Sequence, residues 1–408
     1  MSLTLLLDLD DTLLETNLNT FMPAYFQALT DHLAAFASSD VLLQALIGGM
    51  HRMAENEDPK KTLEEVFDLY FYPKLGVTKQ ALSHPLENFY QDVFPRLAGH
   101  TRQIPEAIRF IEWAKSCGYR IAVATDPLFP RAATLRRLQL AGFEPEQFEL
   151  ISAFEDFHFS KATPAYYAEA LGRLGWPDGP VLMVGNDPTR DILSADRLGL
   201  KTFFIEDEST SGPGVEAGSG QLEDLRRWLE SADRSTLEPS FKSRDGVMAI
   251  LRSTPAIIQN FIANIPGEEL GHELIQSEWA INEIVCHLRD TEREVHATQL
   301  DLLLENDDAF IPRPDTTVWA SERDYLMEDA HAATDEFADA RLHLLGKLMS
   351  LPDRIWQRKA RHAIFGPTDF LEVLSFVADH DRLHLQQARK TMQILLEAER
   401  VQSNQGVL

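Results

Sequence analysis

Residues 3–14 read LTLLLDLDDTLL, a leucine-rich run that ends abruptly in Asp8, Asp10 and Asp11 with Thr12 just behind. Such a run reads as a short buried strand whose C-terminal end carries chemistry. Carboxylates a few ångströms apart raise one another's pKa and oppose folding, so a cluster of this kind is kept for a metal ion or a reaction.

Working outward, three further runs share the character of the first: YRIAVAT (119–125), GPVLMVGND (179–187) and KTFFIED (201–207). Amphipathic stretches such as PEAIRFIEWAKSCG and PRAATLRRLQLAGF lie between them, the second closing at Gly142 as a helix C-terminus should. Strands that alternate with helices predict an α/β fold with a Rossmann-like parallel sheet covered on both faces. The segment from about Leu18 to Leu97 is helical in pattern and interrupts the alternation after the first strand, so a helical cap is expected at about 15–100. The α/β domain is expected to fill residues 1–232 and a linker residues 233–242. Beyond it the pattern is all-α: four long amphipathic helices predict a four-helix bundle over 243–402.

With 408 residues, two domains are the first expectation. The formal net charge of -26 argues against nucleic acid as a partner, since that affinity comes from Lys and Arg neutralising phosphates. No apolar run reaches the roughly eighteen residues needed to span a bilayer, and no signal-like N-terminus is evident. The two cysteines, Cys117 and Cys286, fit a reducing compartment better than a disulfide framework, and a cytoplasmic location is expected.

Each of the four strands of the first domain ends in polar residues: Asp8 and Asp10, Thr125, and Asp187 followed by Asp191 stand out. Lys161, in EDFHFSKATPAYY, comes just ahead of a helix starting near Pro164. In open parallel sheets ligands bind beyond the carboxyl ends of the strands, so these groups can share one crevice. This half of the chain, roughly residues 1–230, resembles the haloacid dehalogenase-like hydrolases. LLLDLDDTL, IAVAT, Lys161 and VGNDPTRDI match that superfamily's four motifs in order. The resemblance implies that Asp8 is a nucleophile forming an aspartyl-phosphate and that Asp10 is the general acid and then base. It also implies Mg²⁺ on Asp8, on the Asp10 backbone carbonyl and on a carboxylate of the fourth motif, either Asp187 or Asp191. The chemistry agrees: a phosphoryl dianion approaching a carboxylate needs positive charge, which Mg²⁺ and Lys161 supply, with the Thr125 hydroxyl adding a hydrogen bond. Dehalogenases of the superfamily lack a carboxylate at the position of Asp10, whereas its phosphatases and mutases keep one, so the resemblance favours a phosphotransfer enzyme over a dehalogenase. Ala162 after Lys161, and Asn186 between Gly185 and Asp187, depart from the common pattern.

In the bundle, His380 and His384 are four apart on the apolar face that carries Val373, Phe376 and Val377, and His287 is in register with Ala280 and Ile284. Three imidazoles converging inside a bundle suit a divalent transition metal with open coordination positions. The pattern resembles the DinB-like four-helix bundles over residues 243–400, whose metal triad is one histidine on the second helix and an HxxxH pair on the fourth. That resemblance implies Zn, Ni, Fe or Mn on His287, His380 and His384. The expected function is a Mg²⁺-dependent phosphatase of a small phosphorylated metabolite fused to a metal-binding bundle. The alternatives are a metal-dependent transferase or hydrolase seated in the bundle, or a bundle that serves only for association, as in a homodimer.

Overall fold

A computed structural model of the chain describes residues 2–206, 210–263, 265–272 and 278–405. Asp207, expected at the end of the fourth strand, lies outside the described residues. The chain divides into two compact units, Met1–Ala170 with Pro177–Ser240, and Leu171–Trp176 with Phe241–Leu408.

The strands of the first unit are β1 (Thr4–Leu7), β2 (Leu14–Thr16), β3 (Thr101–Gln103), β4 (Arg120–Val123), β5 (Leu150–Ile151), β6 (Val181–Gly185), β7 (Lys201–Ile205) and β8 (Gly218–Gly220). Six of them form one parallel sheet in the order β5-β4-β1-β6-β7-β8. β1 lies at its centre and is buried on both faces, which is why it reads as a continuous apolar run and not as an alternation. β5 and β8 were not among the four expected strands. The first is two residues long and the second is Gly-Ser-Gly, so neither offers a side-chain signal, and both join through backbone pairing to a neighbour.

The helices of this unit are α1 (Leu18–His32), α2 (Ser39–Ala54), α3 (Leu63–Leu75), α4 (Lys79–Asn88), α5 (Pro105–Ser116), α6 (Arg131–Leu140), most of α7 (Pro164–Arg173), whose residues from Leu171 on count with the second unit, α8 (Ser194–Leu198) and α9 (Leu222–Ser231). Apolar faces of α5 and α9 bury Phe110, Ile111, Leu225 and Leu229 against Leu5 and Leu7 of the sheet. The cap comprises α1 to α4 around a separate core of Phe21, Tyr25, Phe71, Phe89 and Phe94. Thr62 starts α3 with a reciprocal capping box to Glu65, and Gly76 ends it in the left-handed conformation at φ 70°. The cap is not helical to its edges: it is entered through β2 and left through β3, which pair antiparallel. The stretch read as a linker carries a 3₁₀ turn at Arg234–Leu237, and Leu237 packs into the core of the sheet domain.

In the second unit, α10 (Arg244–Ile262) is followed by the single turn α11 (Gly267–Leu270). α12 (Ile281–Asp290) runs through a π turn at Thr291–His296 into α13 (Ala297–Glu305), and the single turn α14 (Trp319–Glu322) precedes α15 (Ala330–Met349) and α16 (Phe370–Gln405). These supply the four long helices of the bundle. The third starts at Ala330 and not near Ser321, because Asp324 takes a left-handed conformation and the Asp329 side chain caps the backbone N–H groups of His331 and Ala332. A small sheet in the order β11-β10-β9, from β9 (Ala309–Ile311), β10 (Lys359–His362) and β11 (Gly366–Asp369), also corrects the expectation of helices alone. Among the described residues no helix is long and apolar enough to cross a membrane.

Candidate functional site

Register assembles the first site. Leu7 pairs with Val123 of β4 on one side and Val184 of β6 on the other, so the chain leaves all three strands at the same edge. Asp8 follows Leu7 and is buried, its N–H bonded to the Val184 carbonyl at 2.9 Å. The chain then tightens into a turn, with Leu13 and Leu14 N–H groups both donating to the Leu9 carbonyl at 2.9 Å and Asp11 left-handed at φ 56°. That turn sets Asp10 just past the strand end. Thr125 is buried, and its carbonyl accepts from Ser152 Oγ at 2.6 Å and Tyr166 Oη at 2.9 Å, which fixes the loop after β4.

Lys161 reaches into the same place. Its ammonium is 2.7 Å from Asp8 Oδ1 and also contacts Asp191 Oδ1, all three groups being buried. Burial pushes the Asp8 carboxyl up to about 8; Lys161 pulls it down, and Asp191 and Asp10 add to the rise. Burial likewise raises Asp191, against the pull of Lys161. Burial opposes the Lys161 charge, yet Asp191 and Asp8 hold its pKa well above the ordinary range. Two buried carboxylates therefore share one ammonium, an excess of negative charge that a hard divalent cation with oxygen ligands would balance. Of the two fourth-motif acids, Asp191 joins this cluster. Asp187 Oδ1 accepts from the N–H groups of Thr189 and Arg190 at 2.8 and 2.9 Å and so caps the following turn. Gly185 is required here, since a Cβ at that position would fall on the Asp191 carboxylate.

Two side chains that the sequence did not single out complete the site. Arg137 of α6 is fully buried, forms an ion pair with Asp10, and lies over the rings of Phe129 at 5.2 Å and Phe21 at 5.9 Å. Asp126 accepts the Lys161 N–H at 3.2 Å and lies 3.6 Å from Arg190 Nη1. Nothing in RAATLRRLQL separates Arg137 from Arg131 or Arg136. The Asp126 signal was its place directly after Thr125.

In the bundle, one nitrogen from each of His287, His380 and His384 lies within 4.8 Å of the others. His287 Nε2 and His380 Nε2 are 3.1 Å apart, the spacing of two imidazole nitrogens each about 2.1 Å from one ion at a near-right angle. His384 Nδ1 faces Gln387 Oε1 at 3.2 Å, which leaves Nε2 as the free ring nitrogen. Burial first, then the neighbouring His384 and His296, hold His287 down at about 3; burial also lowers His380 and His384. Neutral imidazoles are the ligating form, so the donor set fits a transition-metal ion. Trp279 covers the triad, its ring 4.8 Å from that of His287 and stacked 5.7 Å from that of His384.

A fourth histidine joins from the π turn: the His296 ring is 5.5 Å from that of His380, and its Nδ1 is 3.0 Å from Glu292 Oε2. Behind it, buried Arg341 pairs with Glu292 at 2.7 Å and Asp381 at 2.6 Å and donates to the Leu251 carbonyl at 2.8 Å.

Comparison with known proteins bears on both halves. Residues 3–199 match the family model of the haloacid dehalogenase-like hydrolases, and residues 250–388 that of the DinB superfamily. Protein CbbY of Rhodobacter capsulatus is 27% identical over 128 residues, 31% of this chain; the match spans 56% of CbbY, so the chain covers about half the length of that curated relative. Among solved structures, a HAD phosphatase from Thermococcus onnurineus is 20% identical, with 57% of this chain and 100% of that one covered and a TM-score of 0.39. YfiT from Bacillus subtilis, described as a probable metal-dependent hydrolase with an unusual four-helix bundle topology, is 18% identical, with 38% and 89% covered and a TM-score of 0.34.

Proposed function

We propose, from the match of residues 3–199 to the haloacid dehalogenase-like hydrolases and of residues 250–388 to the DinB superfamily, that this hydrolase is a Mg²⁺-dependent phosphatase of a small phosphorylated metabolite, carrying a metal-binding bundle. The observation that carries the reading is the buried cluster of Asp8, Asp191 and Lys161 with Asp10 one turn away.

Asp8 attacks phosphorus, the bond from phosphorus to the leaving oxygen breaks, and Asp10 gives that oxygen its proton. Asp10 then takes a proton from the water that attacks the aspartyl-phosphate, which releases inorganic phosphate and restores both acids. Lys161 holds Asp8 in line and offsets charge on the transferring group, and Thr125 hydrogen-bonds it. Mg²⁺, held by Asp8, Asp191 and the Asp10 carbonyl, would neutralise the phosphoryl oxygens so that an anionic nucleophile can approach. Phosphate release from a panel of phosphomonoesters in Mg²⁺, compared between the wild type and Asp8→Asn, tests this. Activity lost in the variant supports it, and equal release by both proteins overturns it.

A second reading concerns the bundle: His287, His380 and His384 hold Zn, Ni, Fe or Mn, and the triad spacing supports it. Metal analysis after dialysis should find close to one equivalent per chain in the wild type and little in His380→Ala. The two cysteines, free in the structure, support a reducing, cytoplasmic setting.

A further inference from the structure

Lys161 carries a buried ammonium to Asp8, yet it stands on a stretch, residues 152–163, that forms neither helix nor strand. Backbone groups in such a stretch need partners from outside it. On the side of the sheet, the Phe154 N–H donates to the Phe129 carbonyl at 3.3 Å and the Lys161 N–H to Asp126 Oδ1 at 3.2 Å. The buried carboxylate of Glu169, on α7, accepts the His158 N–H at 3.0 Å and lies 2.7 Å from His158 Nδ1.

The other partners come from the cap, all of them from the connection between α2 and α3. A helix leaves its last carbonyls and its first N–H groups without partners of its own, and here both kinds are satisfied by the Lys161 stretch. The Ala54 carbonyl, at the end of α2, accepts Ser160 Oγ at 3.0 Å. The Leu63 and Glu64 N–H groups, at the start of α3, donate to the carbonyls of Phe157 at 2.7 Å and Phe154 at 2.9 Å. Between them, Asn56 Nδ2 donates to the His158 carbonyl at 2.8 Å. The same side chain braces its own loop, donating to the Asp58 carbonyl at 3.1 Å and accepting the Asp58 N–H at 3.3 Å. Four bonds from the cap therefore end on residues 154–160, the last of them on the buried neighbour of Lys161.

We propose that the cap holds the Lys161 ammonium in place over Asp8, with Asn56 and Ser160 as the positioning residues. The cap then serves the chemistry through a lysine that the sheet domain supplies. A buried ammonium is tolerated while it stays paired, and a long flexible side chain stays paired only as well as the backbone beneath it is fixed. That backbone has no ladder of its own, so the bonds from Asn56 and to Ala54 set how far Lys161 can drift from Asp8 and Asp191. The tie itself is independent of the reaction, and its catalytic consequence rests on the phosphatase reading.

The test reads Lys161 directly, by acetylation of the full-length protein with acetic anhydride followed by peptide mass spectrometry, the exposed Lys74 serving as internal reference. In Asn56→Ala and in Ser160→Ala, each confirmed as folded by its melting curve, the rate at Lys161 relative to Lys74 should rise about two- to tenfold, the shift that loss of one buried hydrogen bond gives. Turnover of the best phosphomonoester of the panel in Mg²⁺ should show kcat lowered by about two- to tenfold in both variants. A measurement on the wild type needs no substitution: hydrogen exchange should give the amides of Leu63, Glu64 and Lys161 one common protection, since the strapped segments open as a unit. Unchanged labelling of Lys161 in the folded variants overturns the positioning, and so does a Lys161 amide that stays protected while those of Leu63 and Glu64 exchange. Faster labelling with undiminished kcat overturns the catalytic consequence. Phosphate released from no ester, with the labelling as expected, overturns the phosphatase reading and leaves the tie between the cap and Lys161 standing.

Discussion

Asp8 is held by burial at a pKa of about 8, well above an ordinary carboxyl, despite the ammonium beside it. A carboxyl whose folded pKa is raised costs the protein stability as pH climbs from the ordinary value, about 4, through 8. A divalent cation on Asp8 must displace the proton held there. Mg²⁺ added at pH 7 in weak buffer should therefore release close to one proton per chain and much less at pH 9. The rise in melting temperature that Mg²⁺ gives should be larger at pH 8 than at pH 6. Both pH dependences should be flattened in Asp8→Asn. Arg137→Met should leave the fold intact and lower kcat by about 10- to 100-fold, since the acid it positions loses its partner; steady-state kinetics on the best substrate of the panel checks this. Asp8, Thr125, Lys161 and Asp191 were legible because strand ends and short motifs fix where they go. Arg137 was not, since one of three arginines in a helix becomes special only when Phe21 and Phe129 close over it. His296 was hidden for a different reason. Nine residues on from His287, a regular helix puts a side chain roughly half a turn round, on the opposite face. The π turn at Thr291–His296 inserts the extra residue that brings it toward His380.

At the level of helices, the fully buried Arg341 of α15 is the group that all four long segments of the bundle meet. It takes the Leu251 carbonyl from α10, Glu292 from the π turn and Asp381 from α16. Removing it would leave two buried carboxylates uncompensated, so Arg341→Leu should destabilise the bundle by about 3–5 kcal/mol, measured by urea unfolding. The triple variant with Glu292→Gln and Asp381→Asn should recover part of that loss. Burial pushes Glu292 up, but Arg341 and His296 together bring it down to about 2. A depressed carboxyl contributes stability above its ordinary value and loses it as pH falls toward 2. The urea-unfolding midpoint of Glu292→Gln should accordingly depend less on pH between about 4.5 and 2 than that of the wild type. The bundle's helices were readable from their 3.6-residue periodicity, while its small sheet was not. Three of the four residues of GPTD in β11, Gly366, Pro367 and Asp369, are depleted in strands, and pairing with Lys359–His362 makes it one.

For the molecule as a whole, both candidate sites depend on side chains drawn from distant points of the sequence. Asp8 and Lys161 are 153 residues apart, and His287 and His380 are 93 apart. The parallel sheet and the bundle were evident from patterning, but which charges meet inside them is set by packing that no local pattern reports. With Mg²⁺ kept in excess, a chelator selective for transition metals should lower the melting temperature of the wild type and leave that of His380→Ala unchanged, with the effect reversed by re-added transition metal. The stem of the cap has a separate consequence. Thr16 and Thr101 are cross-strand partners in β2 and β3, so everything between them leaves and re-enters the sheet domain at adjacent backbone positions. A segment with neighbouring ends can be exchanged for another of different length without asking the host to move. Evolution and the protein engineer therefore have the same handle here: a transplanted cap can be joined at those two threonines while Asp8, Asp10 and Asp191 keep their places at the edge of the sheet.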